Sequence, residues 1–276
     1  MKTNTVRAKL RRGEPTFGTW LTLDSLHSAR ALARVGFDWL TVDLEHSPLD
    51  WSAAAALFAA IADSGCVPLA RVPEGNHAQI KRALDAGAWG IVVPMVETIE
   101  QGQAAIAAAK YPPLGNRSAG GSLPALSFHA TSAEYLERAN DEILVILQTE
   151  SPQGVDNAHE IYSLPGLDAV FIGPLDLACT LRGRLGRVAT AEEHEAMVQR
   201  VIAAGRRAGV PTGIHCREPE EAICRARQGM QFLAVGSDLR MLLARAEGCM
   251  RQLEQSAVGG QRSASDGLAN STGSPY

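Results

Sequence analysis

The sequence predicts a (β/α)8 barrel, on three observations. Eight short apolar runs alternate with helical stretches across residues 1–255 of the 276-residue chain. The runs are nearly continuous in hydrophobicity rather than alternating, as parallel strands buried on both faces must be. Four of them end in polar clusters: Asp43-Leu44-Glu45-His46, Arg71, Gln148-Thr149-Glu150 and Gly173-Pro174-Leu175-Asp176. A closed barrel of parallel strands gathers its C-terminal strand ends at one mouth, so residues far apart in sequence converge there. An open doubly wound sheet is the competing architecture, but it does not need eight strands and the chain lacks a GxGxxG turn.

In chain order, strands are expected at 16–20, 39–43, 67–71, 90–94, 143–148, 169–173, 211–215 and 232–236. Asp24 to Val35 reads as a helix closing on Gly36, a residue suited to the left-handed position past a helix end. Ser47 and Pro48 offer an N-cap and a first-turn proline for an Ala-rich helix running to Gly65. Asn76 to Ala86 closes on Gly87, and Glu97 to Lys110 is followed by Pro112-Pro113. Thr190 to Ala208 closes on Gly209, Glu218 to Gln228 closes on Gly229, and Asp238 to Gln255 is the last helix. Residues 111–142 exceed a plain crossover and carry the run Gly115-Asn116-Arg117-Ser118-Ala119-Gly120-Gly121; loops this long are usually functional. Residues 256–276 are small, polar and glycine-rich, a composition that cannot bury a core, and are expected to form a disordered tail.

The net charge of −4 and pI near 6.0 supply no basic stripe for nucleic acid. Five cysteines (Cys66, Cys179, Cys216, Cys224 and Cys249) are odd in number and lack CxxC spacing, which fits reduced thiols. The N-terminus has no apolar segment of the kind a signal peptide needs. No apolar run reaches the ~18 residues of a membrane span. These features predict a cytoplasmic enzyme acting on small molecules, with neither nucleic acid nor membrane as partner.

Glu150 and Asp176 are separated by one βα unit, so both end at the same mouth. Each alone reads more readily as a helix cap, but together they would repel unless a cation lay between them. Oxygen-only ligation suits a hard divalent ion rather than zinc, and two protein ligands leave positions open for substrate. The free N–H groups of Leu175 and Asp176, where a helix begins, can hold a carboxylate. Arg71 at a strand end needs an anionic partner, either a structural one in Glu45 or Glu150 or a developing oxyanion. His46 lies among carboxylates that orient a base and raise its pKa. Strand period puts Asp43 and Glu45 on one side and His46 on the other unless the chain turns, which leaves open which carboxylate His46 touches. His215 ends the seventh strand and is expected to face the mouth, whereas His27, His77, His129, His159 and His194 read as surface or loop residues.

With these residues in view, the chain resembles the HpcH/HpaI family of metal-dependent (class II) pyruvate aldolases, in the phosphoenolpyruvate/pyruvate TIM-barrel superfamily. The resemblance rests on GFDWLTVDLEHSP, PLARVP, QIKRALDAGAWGIVVPMV, KYPPLGNRSAGG, QTES, FIGPLDL and FLAVGSD, in order and spacing from about residue 16 to 255. It implies that His46 is the catalytic base of a DxEH motif that begins with Asp43, and that Arg71 binds the keto oxygen and stabilises the enolate. It implies Glu150 and Asp176 as ligands of Mg²⁺ or Mn²⁺, with Co²⁺ a further option. Gln148 and the backbone of Leu175 and Asp176 would contact pyruvate. Asp85 would tune the histidine, from a neighbouring subunit. The implied assembly is a homohexamer, a trimer of dimers, whose last helices are exchanged between partners.

The implied activity is reversible cleavage of 4-hydroxy-2-oxo acids to pyruvate and an aldehyde through a metal-held enolate. An oxaloacetate decarboxylase or a macrophomate-synthase-like carbon–carbon bond former would use the same enolate. A non-catalytic keto-acid-binding barrel is the alternative outside enzymology. The chain departs from the family where GNRSAGG replaces a GxRGxG-like run. Leu175 stands where a smaller residue is usual, and His215 where an apolar one is, so the departures bear on the acceptor aldehyde. No lysine ends a strand, which argues against a Schiff-base aldolase.

Overall fold

A computed structural model describes residues 1–268, with side chains to residue 256. The eight strands are β1 (Thr16–Leu21), β2 (Trp39–Asp43), β3 (Val67–Arg71), β4 (Gly90–Val93), β5 (Leu144–Gln148), β6 (Ala169–Ile172), β7 (Thr212–Cys216) and β8 (Phe232–Ser237). Each agrees with its sequence expectation to within one residue at either end. They close in sequential order, β8 pairing with β1, and every pair is parallel. Register aligns Asp43 with Arg71, Gln148 with Phe171 and His215 with Ala234. The strands read as continuous apolar runs because both faces are covered: β4, β5 and β6 are buried at every position.

Aromatic rings fill the interior. Trp39 stacks on Phe232 at 4.1 Å between centroids, and Phe171 meets Phe232 edge-on at 5.7 Å. The Trp39 indole occupies space that only a glycine leaves free, because a Cβ on Gly18 of β1 would lie 2.1 Å from the ring.

Below the strands lies a helix that the sequence reading missed, Thr5–Arg11, capped by the Asn4 side chain. The Asn4 amide also donates to the Trp89 and Glu142 carbonyls, and its N–H donates to the Glu142 carboxylate at 2.6 Å. Arg7 pairs with Asp168 at 2.7 Å, and Asp168 accepts from the Val145 N–H at 2.9 Å. The N-terminal segment is thereby tied to the N-terminal ends of β4, β5 and β6.

Several boundaries differ from expectation. The helix after β2 begins at Trp51, capped by Asp50 rather than Ser47, because the Ser47 hydroxyl is drawn back to the Asp43 carbonyl. Residues 111–142 are no open loop: helices Leu123–Ser127 and Ser132–Glu142 occupy much of the segment. The chain divides into two compact units, Met1–Asp238 and the segment from Leu239 on. The last helix runs Asp238–Leu268, so residues 256–268 are helical and not the irregular tail expected. Small polar residues lower helix propensity without forbidding it, and no proline interrupts the stretch. Residues 269–276 of that expected tail lie outside the described residues. All five cysteines are free. Among the described residues no helix is long and apolar enough to cross a membrane.

Gly18→Ala is expected to destabilise the barrel by at least ~1–3 kcal/mol, because the rigid indole cannot yield. Gly183→Ala, where the helix interior offers open space, is expected to stabilise by about 0.5–1 kcal/mol. Denaturant midpoints of the two variants test the pair, and similar midpoints would contradict the packing account.

Candidate active site

The β2–β3 corner is organised by an ion pair. Arg71 donates from Nε to Asp43 Oδ1 at 2.9 Å and from Nη2 to Oδ2 at 2.6 Å, and Nη1 lies 3.2 Å from Glu45 Oε2. The structural partner of Arg71 is therefore chiefly Asp43, with Glu45 beside it. Glu150, the other partner weighed from sequence, makes no ion pair with it. In-register strand ends put the two side chains on the same side of the sheet, which the linear sequence does not display. Burial opposes the Arg71 charge, but Asp43, Glu45 and Glu150 outweigh it and raise its pKa. The guanidinium also lies 4.6 Å from the centroid of the Trp20 ring.

The chain does turn after β2. Asp43 Oδ1 accepts the N–H groups of Glu45 at 3.1 Å and His46 at 3.2 Å, the self-bonding by which aspartate shapes a turn. Strict alternation therefore fails here, and His46 neighbours Glu45: Nε2 to Oε2 is 3.8 Å. His46 is 60 % exposed, reachable from the mouth. Glu45 has its pKa raised, by burial first and by Asp43 and Asp176 second, against Arg71 and His46.

Across β5 and β6, Gln148 and Glu150 are buried. The Gln148 amide donates to Glu150 Oε2 at 2.7 Å, and the Met95 N–H donates to Oε1 at 2.8 Å. Met95 adopts φ +52°, a strained value for a side-chain-bearing residue, and it is this backbone that supplies the donor. Burial pushes the Glu150 carboxyl up to about 7, with Asp176 and Glu45 adding to the rise. The helix Pro174–Leu185 starts directly behind β6, and its N-cap, Gly173, brings no side chain to the first-turn N–H groups. Those of Leu175 and Asp176 stay available to a ligand. Gly173 has a second reason to be glycine: a Cβ there would lie 2.1 Å from Glu150 Oε2.

The structure thus brings Asp43, His46, Arg71, Gln148, Glu150, Leu175 and Asp176 to one end of the barrel. His215, at the end of β7, donates from Nε2 to the Gly236 carbonyl at 2.9 Å and meets the Trp20 ring edge-on. Asp85 is not brought to His46 within the chain. It ends the helix His77–Asp85, at the opposite end of the barrel, and pairs with Arg117 at 2.8 Å. Sequence reasoning missed Trp20, the Met95 backbone and His194. Of these, Trp20 was legible as an aromatic near a strand end. His194, read as a surface residue, approaches the Pro174 carbonyl at 3.0 Å and braces the first turn of the helix that carries Asp176. Lys110 has its pKa pulled down to about 8 by burial, yet its Nζ donates to the Asn140 and Ile143 carbonyls, a structural use.

Three carboxylates at this mouth (Asp43, Glu45 and Glu150) act on the one guanidinium, Arg71, and a fourth, Asp176, acts on Glu45 and Glu150. Such an excess of hard oxygen donors around a buried acid fits a divalent cation. Among the described residues no three His, Cys, Asp or Glu form a ready metal cage, so the fit is to a site with few protein ligands. Glu150 and Asp176 would hold the ion. Gly173→Ala is expected to push Glu150 aside and weaken Mn²⁺ binding at least ~10-fold, the scale for disturbing a ligand's support, while circular dichroism stays unchanged. Unaltered Mn²⁺ affinity by calorimetry would remove Gly173 from the site.

Residues 16–244 match the HpcH/HpaI aldolase/citrate lyase family. The chain is 38 % identical to a hydroxypyruvate/pyruvate aldolase of Delftia acidovorans, covering 87 % of this chain and 88 % of that one. It is 38 % identical to the 2-dehydro-3,6-dideoxy-6-sulfogluconate aldolase of Pseudomonas putida, covering 86 % and 92 % respectively. A crystal structure of a family protein from Burkholderia cenocepacia superposes with a TM-score of 0.84 at 36 % identity, over 91 % of this chain and 100 % of that one. With the barrel, the mouth residues and these similarities in agreement, the chain belongs to the HpcH/HpaI aldolase/citrate lyase family.

Proposed function

We propose that the mouth is the active site of a metal-dependent aldolase that cleaves 4-hydroxy-2-oxo acids to pyruvate and an aldehyde, and that runs in reverse as an aldol addition. The observation that carries this reading is Arg71, held by Asp43 on one edge and set near two further carboxylates, Glu45 and Glu150. A 4-hydroxy-2-oxo-heptane-1,7-dioate aldolase of Shigella sonnei, 36 % identical over 88 % of this chain and 92 % of that one, supports the substrate class.

A divalent ion, Mg²⁺, Mn²⁺ or Co²⁺, held by Glu150 and Asp176 supplies Lewis acidity toward the keto acid. The N–H groups of Leu175 and Asp176 hold the substrate carboxylate, and Gln148 orients the adjoining keto group. His46 takes the proton from the 4-hydroxyl. The C3–C4 bond then breaks, its electron pair passes to C3 as an enolate, and the aldehyde leaves. Arg71 stabilises the negative charge that develops on the keto oxygen, and a proton added at C3 completes pyruvate. Glu45 Oε2, 3.8 Å from His46 Nε2, lies where it helps orient the imidazole, and Asp85 of a neighbouring subunit would act on the same histidine. His215 contacts the aldehyde portion and favours hydroxyl- or carboxylate-bearing aldehydes.

We assign the chain to a cytoplasmic homohexamer with its last helices exchanged. Along helix Asp238–Leu268, Leu242, Leu243, Met250 and Leu253 are 59, 49, 54 and 63 % exposed, a stripe suited to cover by a second copy.

Chelation should abolish turnover of 4-hydroxy-2-oxo acids, and Mn²⁺ or Mg²⁺ should restore it; full activity in chelator would sink the metal assignment. Side-by-side assay with oxaloacetate separates aldol cleavage from decarboxylation as the principal reaction, and absence of turnover on either would leave a binding protein. Arg71→Lys is expected to lose at least ~10²-fold in kcat, since an ammonium reproduces neither the two-point Asp43 contact nor the planar fork. Near-normal turnover in that variant would make Arg71 structural.

A further inference from the structure

The geometry points to a second small-molecule site, for an organic anion, at the closed end of the barrel. A cavity of about 650 Å³ opens there, within the size range of ligand pockets, ~300–1,000 Å³. Its lining comes from the N-terminal ends of the strands: Gly13 precedes β1, Asp168 precedes β6, Val210 and Pro211 precede β7, and Gln231 precedes β8. The mouth residues all lie at the C-terminal strand ends, so the two sites occupy opposite ends of the barrel.

The charges in the lining select an anion. Its single carboxylate, Asp168, is already used, accepting from Arg7 Nε at 2.7 Å and from the Val145 N–H at 2.9 Å. Arg11 and Arg206 also line the cavity, and neither has a carboxylate within ion-pair distance among the described residues. Arg206 Nη2 lies 3.6 Å from where a Cβ on Gly229, another lining residue, would stand. Gln231 Nε2 lies 3.7 Å from the corresponding point on Gly13. Arg206 Nη2 makes one long hydrogen bond, to the Gln228 carbonyl at 3.4 Å, so the donors left for a ligand are the Arg11 guanidinium, the remaining Arg206 N–H groups and the Gln231 amide. Leu10, Ile202 and Val210 supply apolar walls, which suit a ligand with a carbon body rather than a bare inorganic ion. Gly209 and Gly229, at helix ends, and Gly166, in the turn before β6, adopt positive φ, and their missing side chains leave the cavity open.

The anion is a carboxylate or a phosphomonoester, and the test uses one probe of each kind, succinate and glycerol 3-phosphate. Calorimetry is run on the full chain, the Arg11→Ala/Arg206→Ala double variant, Arg206→Lys, and the mouth variant Arg71→Lys. The site requires that at least one probe bind the wild-type protein and that its affinity fall at least ~10-fold in the double variant, about 1.4 kcal/mol. Arg206→Lys should retain part of the affinity, and Arg71→Lys all of it. Both arginines are exposed, so the double variant should fold, and aldol cleavage within about twofold of wild type verifies that it has. No binding of either probe, equal binding to all four proteins, or loss in Arg71→Lys alone would each overturn the proposal.

Discussion

The Asp43–Arg71 pair is the interaction on which the mouth depends. Its side chains are 4 % and 12 % exposed, so each charge is desolvated and neither can be left alone. Removing one partner of such a pair typically destabilises by ~3–5 kcal/mol, since the survivor keeps its burial and loses its compensation. Asp43 also accepts two backbone N–H groups from the turn that follows, so the same carboxylate fixes the guanidinium and aims the chain carrying Glu45 and His46. Trp20 covers one face of Arg71 and meets Phe171 and His215, which couples β1, β3, β6 and β7 around one aromatic ring.

Glu150 is held by the opposite strategy. It has no direct cationic partner; it accepts from a side-chain amide and a strained backbone N–H, and burial pushes its carboxyl up to about 7. A group held in that condition is poised for a cation, whereas Asp43 is already saturated. Two acids at one mouth are thereby set for different work, and the difference comes from their surroundings rather than from residue type.

The long connection after β4 shows a different balance. Its arginine, Arg117, is buried between Tyr111 and Tyr135, donates to the Tyr135 hydroxyl at 3.0 Å and to Asp85 at 2.8 Å, and leaves Nε without a partner. Within one chain this segment acts as a brace that joins the helix His77–Asp85 to the helix Ser132–Glu142. Length and glycine content pointed to function; the burial of Arg117 gives much of the segment a structural task.

The eight strands, most helices and the convergence of Asp43, His46, Arg71, Gln148, Glu150 and Asp176 were legible in the sequence, because each depends on local pattern. An apolar run long enough for a strand, followed by a polar residue, places that residue at the mouth of any parallel barrel. Pairing is another matter. That Arg71 takes Asp43 depends on the register between β2 and β3, and that Glu150 lies under Gly173 depends on the path of a backbone between β6 and its helix. The turn that sets His46 beside Glu45 required the Asp43 side chain to compete with strand alternation, a contest that composition does not decide. The N-terminal helix escaped notice because its short apolar face, Val6 and Leu10, acquires meaning only against the base of a closed barrel. Periodicity and strand-end chemistry were set by the chain itself; partners, turns and ion pairs were decided by which strands the closed sheet placed side by side.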